Sequence, residues 1–192
     1  MDDLTDGRNL LCHPATPARA VRRVQAAIGW RIISALPASI SANRELELMF
    51  VIHCSPSLLR LPPERPPIRA DGLWRATCLE AFLKGENEEY FEFNISPSSE
   101  WAAYRFSGYR EGQEDLGVPD GPPSARAWRD ERYAGFTALI PLGAYTPTHA
   151  GLSTVIEERD GTKSYWALAH PDPDKPDFHH PASFVLELPP KP

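Results

Sequence analysis

Residues 73–106 read LWRATCLEAFLKGENEEYFEFNISPSSEWAAYRF, and their periodicity decides the fold. From Cys78 to Leu83, Leu79, Ala81 and Leu83 alternate with Cys78, Glu80 and Phe82. From Tyr90 to Ser96, Phe91, Phe93 and Ile95 alternate with Tyr90, Glu92, Asn94 and Ser96. A period of two marks β-strands with one face in a core. The residues between them, Lys84 to Glu89, include Gly and Asn and suit a hairpin loop. If the two apolar sets share a face, odd positions must pair with odd, because a one-residue slip turns a strand over. The natural register sets Ala81 opposite Phe93 and Glu80 opposite Asn94.

Ser96-Pro97-Ser98-Ser99-Glu100 is rich in turn-forming residues, and a third strand follows from Trp101. Folding it back over a four-residue loop is expected to place Phe93 opposite Tyr104 and Glu92 opposite Arg105. On that reading Leu79, Ala81, Phe91, Phe93, Ile95 and Tyr104 share the buried face. The other face carries Glu80, Glu92, Asn94, Trp101 and Arg105, with the small Cys78 and Ala103 between them. The same pattern also describes a plain solvated sheet surface with a cross-strand salt bridge.

Outward from this centre the chain reads as further strands. Glu45 to His53 alternates clearly, and Asn9 to His13 suits a short edge strand. Ala18 to Ala35 is ambiguous: Val21, Val24, Ile28 and Ile32 have helical spacing, whereas Gly29 and the WRII run oppose a helix. Residues 55–72, with Pro56, Pro62, Pro63, Pro66 and Pro67, form a long irregular connection. Arg126 to Trp128 and Ala134 to Leu142 pair. Gly151 to Glu158 turns at Asp160-Gly161 into Ser164 to His170, and Phe184 to Leu188 closes the chain. The expected architecture is all-β: an antiparallel two-sheet β-sandwich. A tail over 1–8 precedes one domain over 9–189.

Composition narrows the function. A chain of 192 residues is long enough for one well-cored domain, and its net charge of −6 argues against a nucleic-acid partner. No apolar run approaches the ~18 residues a membrane span needs. The acidic N-terminus lacks the order of a signal peptide, and Cys12, Cys54 and Cys78 form no close pair. Three free thiols in a reduced, soluble, cytoplasmic setting are therefore expected, with no nucleic-acid or membrane partner.

His170, Asp172, Asp174, Asp177, His179 and His180 crowd one loop and carry metal-ligating chemistry, but their spacing fits no metal signature. Their expected role is to hold that loop by hydrogen bonds, so no metal is assigned. No nucleophile–base motif or phosphate loop occurs, so no catalytic residue and no cofactor are assigned, and a non-enzymatic role is expected. Aromatic rings beside carboxylates and amides are how proteins grip sugars. The candidate ligand site is Trp74 and Trp101 as stacking platforms, with Glu80, Glu92, Asn94 and Arg105 supplying hydrogen bonds. The expected partner is a carbohydrate or another small polar ligand.

Five segments carry a resemblance: ADGLWRATCLEAFL (70–83), YFEFNISPSSEWAAYRFSGYR (90–110), GLSTVIEE (151–158), SYWALAHP (164–171) and PDFHHPASFVLEL (176–188). Together they resemble the bacterial DOMON-like proteins, related to the family 9 carbohydrate-binding modules. The resemblance runs from about Cys12 to Leu188. It implies a two-sheet β-sandwich and a strand rather than a helix from Val21 to Ile33. Relatives of this kind bind sugars or haem. Haem-binding relatives use Met and His as axial ligands, whereas here Met49 and His53 lie on one face of one strand. A haem carrier and a protein-interaction domain stand as alternatives to the sugar-binding module.

Overall fold

The alternating runs are strands in the computed structural model, which describes residues 7–32, 44–85, 87–118 and 121–190. In chain order they are β1 (Arg8–Cys12), β2 (Arg23–Ile32), β3 (Arg44–His53), β4 (Cys78–Lys84), β5 (Tyr90–Ile95) and β6 (Trp101–Phe106). The rest are β7 (Glu114–Asp115), β8 (Ser124–Arg129), β9 (Tyr133–Pro141), β10 (His149–Glu157), β11 (Lys163–Ala167) and β12 (Leu186–Glu187). Single 3₁₀ turns occur at Pro56–Leu58, Leu73–Arg75 and Pro181–Ser183. The ambiguous second segment is a strand, as the resemblance implies. Of the expected tail, residues 1–6 lie outside the described residues, as does the end of the second segment beyond Ile32, and Arg8 already belongs to β1.

The strands form one curled antiparallel sheet of order β7-β6-β5-β4-β10-β11-β1-β2-β3-β9-β8, with β12 added to β10. Two separate sheets were expected, but the hydrogen-bonded path is unbroken. The connector is β1, which is no edge strand: Arg8, Asn9 and Leu10 pair with β2, and Leu11 and Cys12 pair with β11. The curl brings the inner faces of the two halves together. Leu46, Leu48, Phe50 and Ile52 of β3 and Phe136, Ala138 and Ile140 of β9 share a core with Leu79, Ala81, Leu83, Phe93 and Ile95. In β3 these side chains are fully buried while Glu45, Glu47, Met49 and Val51 stay partly exposed, so the strand's alternation reports its two sides directly.

The β4–β5 register is the one expected, with Glu80 opposite Asn94 and Ala81 opposite Phe93. The β5–β6 register is not: Phe93 faces Ala103, Glu92 faces Tyr104, Phe91 faces Arg105 and Ile95 faces Trp101. The turn is the cause. Ser99 N–H donates to the Ser96 carbonyl at 3.0 Å, Ser99 has φ 78°, and Ser96 N–H donates to Glu100 at 2.8 Å. This is a three-residue loop ending in a left-handed residue, one residue shorter than the loop expected. That difference turns β6 over. Trp101 and Ala103 enter the main core, and Tyr104 and Phe106 move to the face of Glu80 and Glu92.

The proline-rich connection lies against the strands it precedes. Arg60 N–H donates to the Glu157 carbonyl at 2.8 Å, Arg65 N–H to Ser98 at 2.7 Å, and Trp101 N–H to Ile68 at 3.1 Å. It therefore pairs with the start of β6 along its main chain. Among the described residues no helix is long and apolar enough to cross a membrane.

Phe93 is 1 % exposed at the centre of the main core. Phe93→Ala is expected to cost ~3–5 kcal/mol in urea unfolding. A loss within ~0.5 kcal/mol, as at an ordinary surface position, would contradict this packing.

Candidate functional site

The second face of β4, β5 and β6 is not a solvated surface. Phe82, Tyr90, Ala102, Tyr104 and Phe106 form a second core with Val155, Ala167, Phe178 and Phe184. The chain after β11 folds back across this face. Gly151 makes that approach possible, because a Cβ there would stand 2.9 Å from the Phe184 ring and 3.1 Å from the Ser183 carbonyl.

Between sheet and covering loop lies a cavity of about 420 Å³, within the ~300–1,000 Å³ usual for small-molecule sites. Glu80, Phe82, Glu92, Tyr104, Phe106 and Val155 rise from the sheet, and Pro176, Phe178 and His179 descend from the loop. Trp74, Arg110, Gln113 and Tyr165 complete it. Trp74 is 47 % exposed, with the Arg75 guanidinium 5.4 Å from its ring centre.

Asp177, itself buried, ties the covering loop to the segment after β6. Its carboxylate accepts from the Tyr109 hydroxyl, from Arg110 Nη2 at 2.8 Å and from His179 N–H at 3.2 Å. Burial works against ionisation, but the Tyr109 and Arg110 hydrogen bonds win and hold this carboxyl below its ordinary range. On the sheet side, the Tyr104 hydroxyl donates to Asp71 Oδ1 at 2.6 Å.

His179 is held by aromatic rings. Phe82 meets it edge-on at 5.0 Å and Phe106 at 5.1 Å. The Tyr90 hydroxyl accepts from Arg110 N–H at 3.2 Å and shares a hydrogen bond of 2.9 Å with His179 Nδ1. Its Nε2 lies 3.7 Å from Glu92 Oε2. Burial, helped by the Arg110 charge, lowers the His179 pKa to about 4, and the ring is neutral at neutral pH.

The two carboxyl groups at the base are short of partners. Glu92 Oε1 accepts from Asn94 Nδ2 at 2.7 Å. Glu80 Oε2 accepts weakly from Ser153 Oγ at 3.4 Å, and Glu80 Oε1 has no hydrogen-bond partner among the described residues. Burial raises the Glu92 pKa to about 7, although Asn94 and Arg110 oppose the rise. Burial and the neighbouring Glu92 charge push Glu80 well above the carboxyl range.

Of the six candidate residues, Trp74, Glu80 and Glu92 line the cavity, and Asn94 supports Glu92 from beside it. Trp101 and Arg105 do not belong to it. Trp101 is in the main core, and Arg105 turns outward to Glu89 with its Nε at 2.8 Å rather than neutralising Glu92. Tyr104 and Phe106 were missed for the same one-residue reason. Arg110, Phe178 and His179 were missed as site residues because no local pattern places a distant loop over a sheet.

The His- and Asp-rich loop divides its side chains among separate tasks. His170 Nε2 lies 2.9 Å from the Leu11 carbonyl, Asp172 accepts from Asp174 N–H at 2.8 Å, and His180 Nδ1 accepts from Ala182 N–H at 3.1 Å. Among the described residues no three His, Cys, Asp or Glu side chains converge as a metal would require. Met49 and His53 lie together on the outer side of β3, opposite its core residues.

With this geometry the chain can be set beside known proteins. It shares its fold with a solved protein. That structure is a proposed carbohydrate-binding protein from Bacteroides uniformis, matched with a TM-score of 0.61 over 96 % of this chain and 86 % of the other, at 14 % identity. At such identity the likeness is one of fold. No protein-family model matches the sequence, and no curated protein matches it.

Stability should report the buried carboxyl. A Glu92 pKa raised from 4.5 to about 7 means that the folded state keeps a proton which the unfolded state has released. That advantage is present below the unfolded value and disappears as pH rises through the folded one. His179, lowered from 6.5 to about 4, acts oppositely as pH falls from 6.5, so wild-type stability alone mixes the two. Glu92→Gln isolates the carboxyl. Relative to wild type, the variant should gain about 3 kcal/mol between pH 4.5 and 7, read from urea unfolding at each pH. A pH-independent difference would mean that Glu92 titrates normally.

Proposed function

We propose that this domain is a non-enzymatic binding module that takes a carbohydrate, or a glycoconjugate ending in one, in the cavity under the 176–179 loop. The observation that carries this reading is one half-open cavity in which the Trp74 indole and the Tyr104 and Phe106 rings stand beside the hydrogen-bonding Glu80 and Glu92. Flat apolar rings suit the C–H faces of a sugar, and carboxyl groups suit its hydroxyls. The fold shared with a proposed carbohydrate-binding protein supports the same reading.

We also propose that the curled sheet is a DOMON-like two-sheet sandwich, related to the family 9 carbohydrate-binding modules, with β1 crossing between its halves. Support comes from the segments that carry that resemblance. Each of the five contributes to the cavity: Trp74 and Glu80 from the first, Glu92 and Arg110 from the second, Val155 from the third, Tyr165 from the fourth, and Phe178 and His179 from the last. The three free thiols fit the proposal of a reducing, cytoplasmic setting.

The test is calorimetric titration with a panel of mono- and disaccharides, with recovery of the bound sugar. A sugar should bind and be recovered intact. Trp74→Ala and Glu80→Gln should weaken it by ~1.5–3 kcal/mol. Arg105→Ala, on the opposite side of β6, should leave affinity unchanged. Lack of binding by any sugar at millimolar concentration would overturn the reading, and hydrolysis of the sugar would overturn its non-enzymatic part.

A further inference from the structure

Among the described residues the two carboxyl groups that face the cavity have no cation free to offset them if they ionise, and this narrows the ligand. From β4 and β5 come Glu80 and Glu92, 3 % and 6 % exposed, diagonal neighbours on adjacent strands. The cation expected to offset them, Arg105, is bound to Glu89 on the other side of the sheet. Arg110 reaches the cavity, but its guanidinium is held by Asp177 at 2.8 Å. His179 presents a neutral ring, its Nδ1 taken by Tyr90. The other titratable groups at the wall, Tyr104 and Tyr165, are phenols and bring no positive charge.

Ionised side by side, these buried groups would repel each other, and one oxygen has no hydrogen-bond partner among the described residues, so in the empty protein burial favours their protonated forms. A cation is the occupant that lets both groups ionise and gives the open oxygen a donor. The surroundings suit one, because the rings of Phe82, Tyr104, Phe106 and Trp74 border the same space and aromatic rings attract ammonium groups. An ammonium has three donors and no acceptor, matching a base that offers only carboxyl oxygens.

Resting on the carbohydrate reading above, we infer that the ligand carries a protonated amine, seated between Glu80 and Glu92, so that the preferred sugar class is amino sugars with a free amino group. The hydroxyl-bearing ring then lies towards Trp74, and the amine enters first.

Calorimetry of the full chain with glucosamine, glucose, N-acetylglucosamine and methylammonium, at a pH where the free amines are protonated, separates the two claims. Glucosamine should bind about 10- to 150-fold more tightly than glucose or N-acetylglucosamine. Glu80→Gln should remove that preference while the thermal unfolding transition is retained. The wild-type series alone decides the matter if the variant does not fold. Equal binding of glucosamine and the two neutral sugars overturns the amine inference and leaves the carbohydrate reading standing. Binding of methylammonium with no sugar bound supports the cation site and overturns the carbohydrate reading. No binding by any of the four overturns both.

Discussion

The turn from Ser96 to Glu100 joins two strands of the central sheet, and its hydrogen bonding sets which side chains the cavity owns. With Ser99 at φ 78° the loop has three residues, and Ile95 pairs with Trp101. One more residue in that loop would return Trp101 and Arg105 to the face of Glu80 and send Tyr104 and Phe106 to the other. An arginine would then stand among the carboxyl groups. The electrostatics of the site therefore follow from a backbone conformation that serine adopts at some cost, held by hydrogen bonds at both ends of the turn.

A second constraint gives the site its depth. The strand face alone is a shallow surface of mixed polarity. It becomes a cavity because Asp177 ties its own loop to Arg110 and Tyr109, while Gly151 leaves room for Phe184 to pack on β10. The same closure desolvates Glu80, Glu92 and His179. Such groups weaken a fold, which is why they mark this cavity as the candidate site. Here the main core on the other side of the sheet, with Phe50, Phe93 and Phe136 fully buried, supplies the stability that offsets them.

Much of this molecule was legible in its sequence. Alternation over 45–53 and 78–95 identified the strands, their core sides and the β4–β5 register, because a two-residue period maps directly onto two faces. The Asp160-Gly161 turn appears as read, with Gly161 at φ 89°. Glu80 and Glu92 could be named as candidates because charged residues inside an apolar alternation stand out, and Trp74 as an aromatic beside them; all three line the cavity.

Tertiary structure alone decided the rest. Whether a Pro-Ser-Ser turn has three residues or four depends on φ at one serine, and composition is silent about that. That β1 links the halves of the sheet rather than edging it depends on which strands it meets at each end. The proximity of His179 and Arg110 to Glu92 arises from loops separated from it in the chain, and the burial that perturbs all three exists only once those loops close. The sequence by itself determined which side chains alternate; long-range packing decided which of them meet and how far water is kept from them, because both depend on contacts that no local pattern encodes.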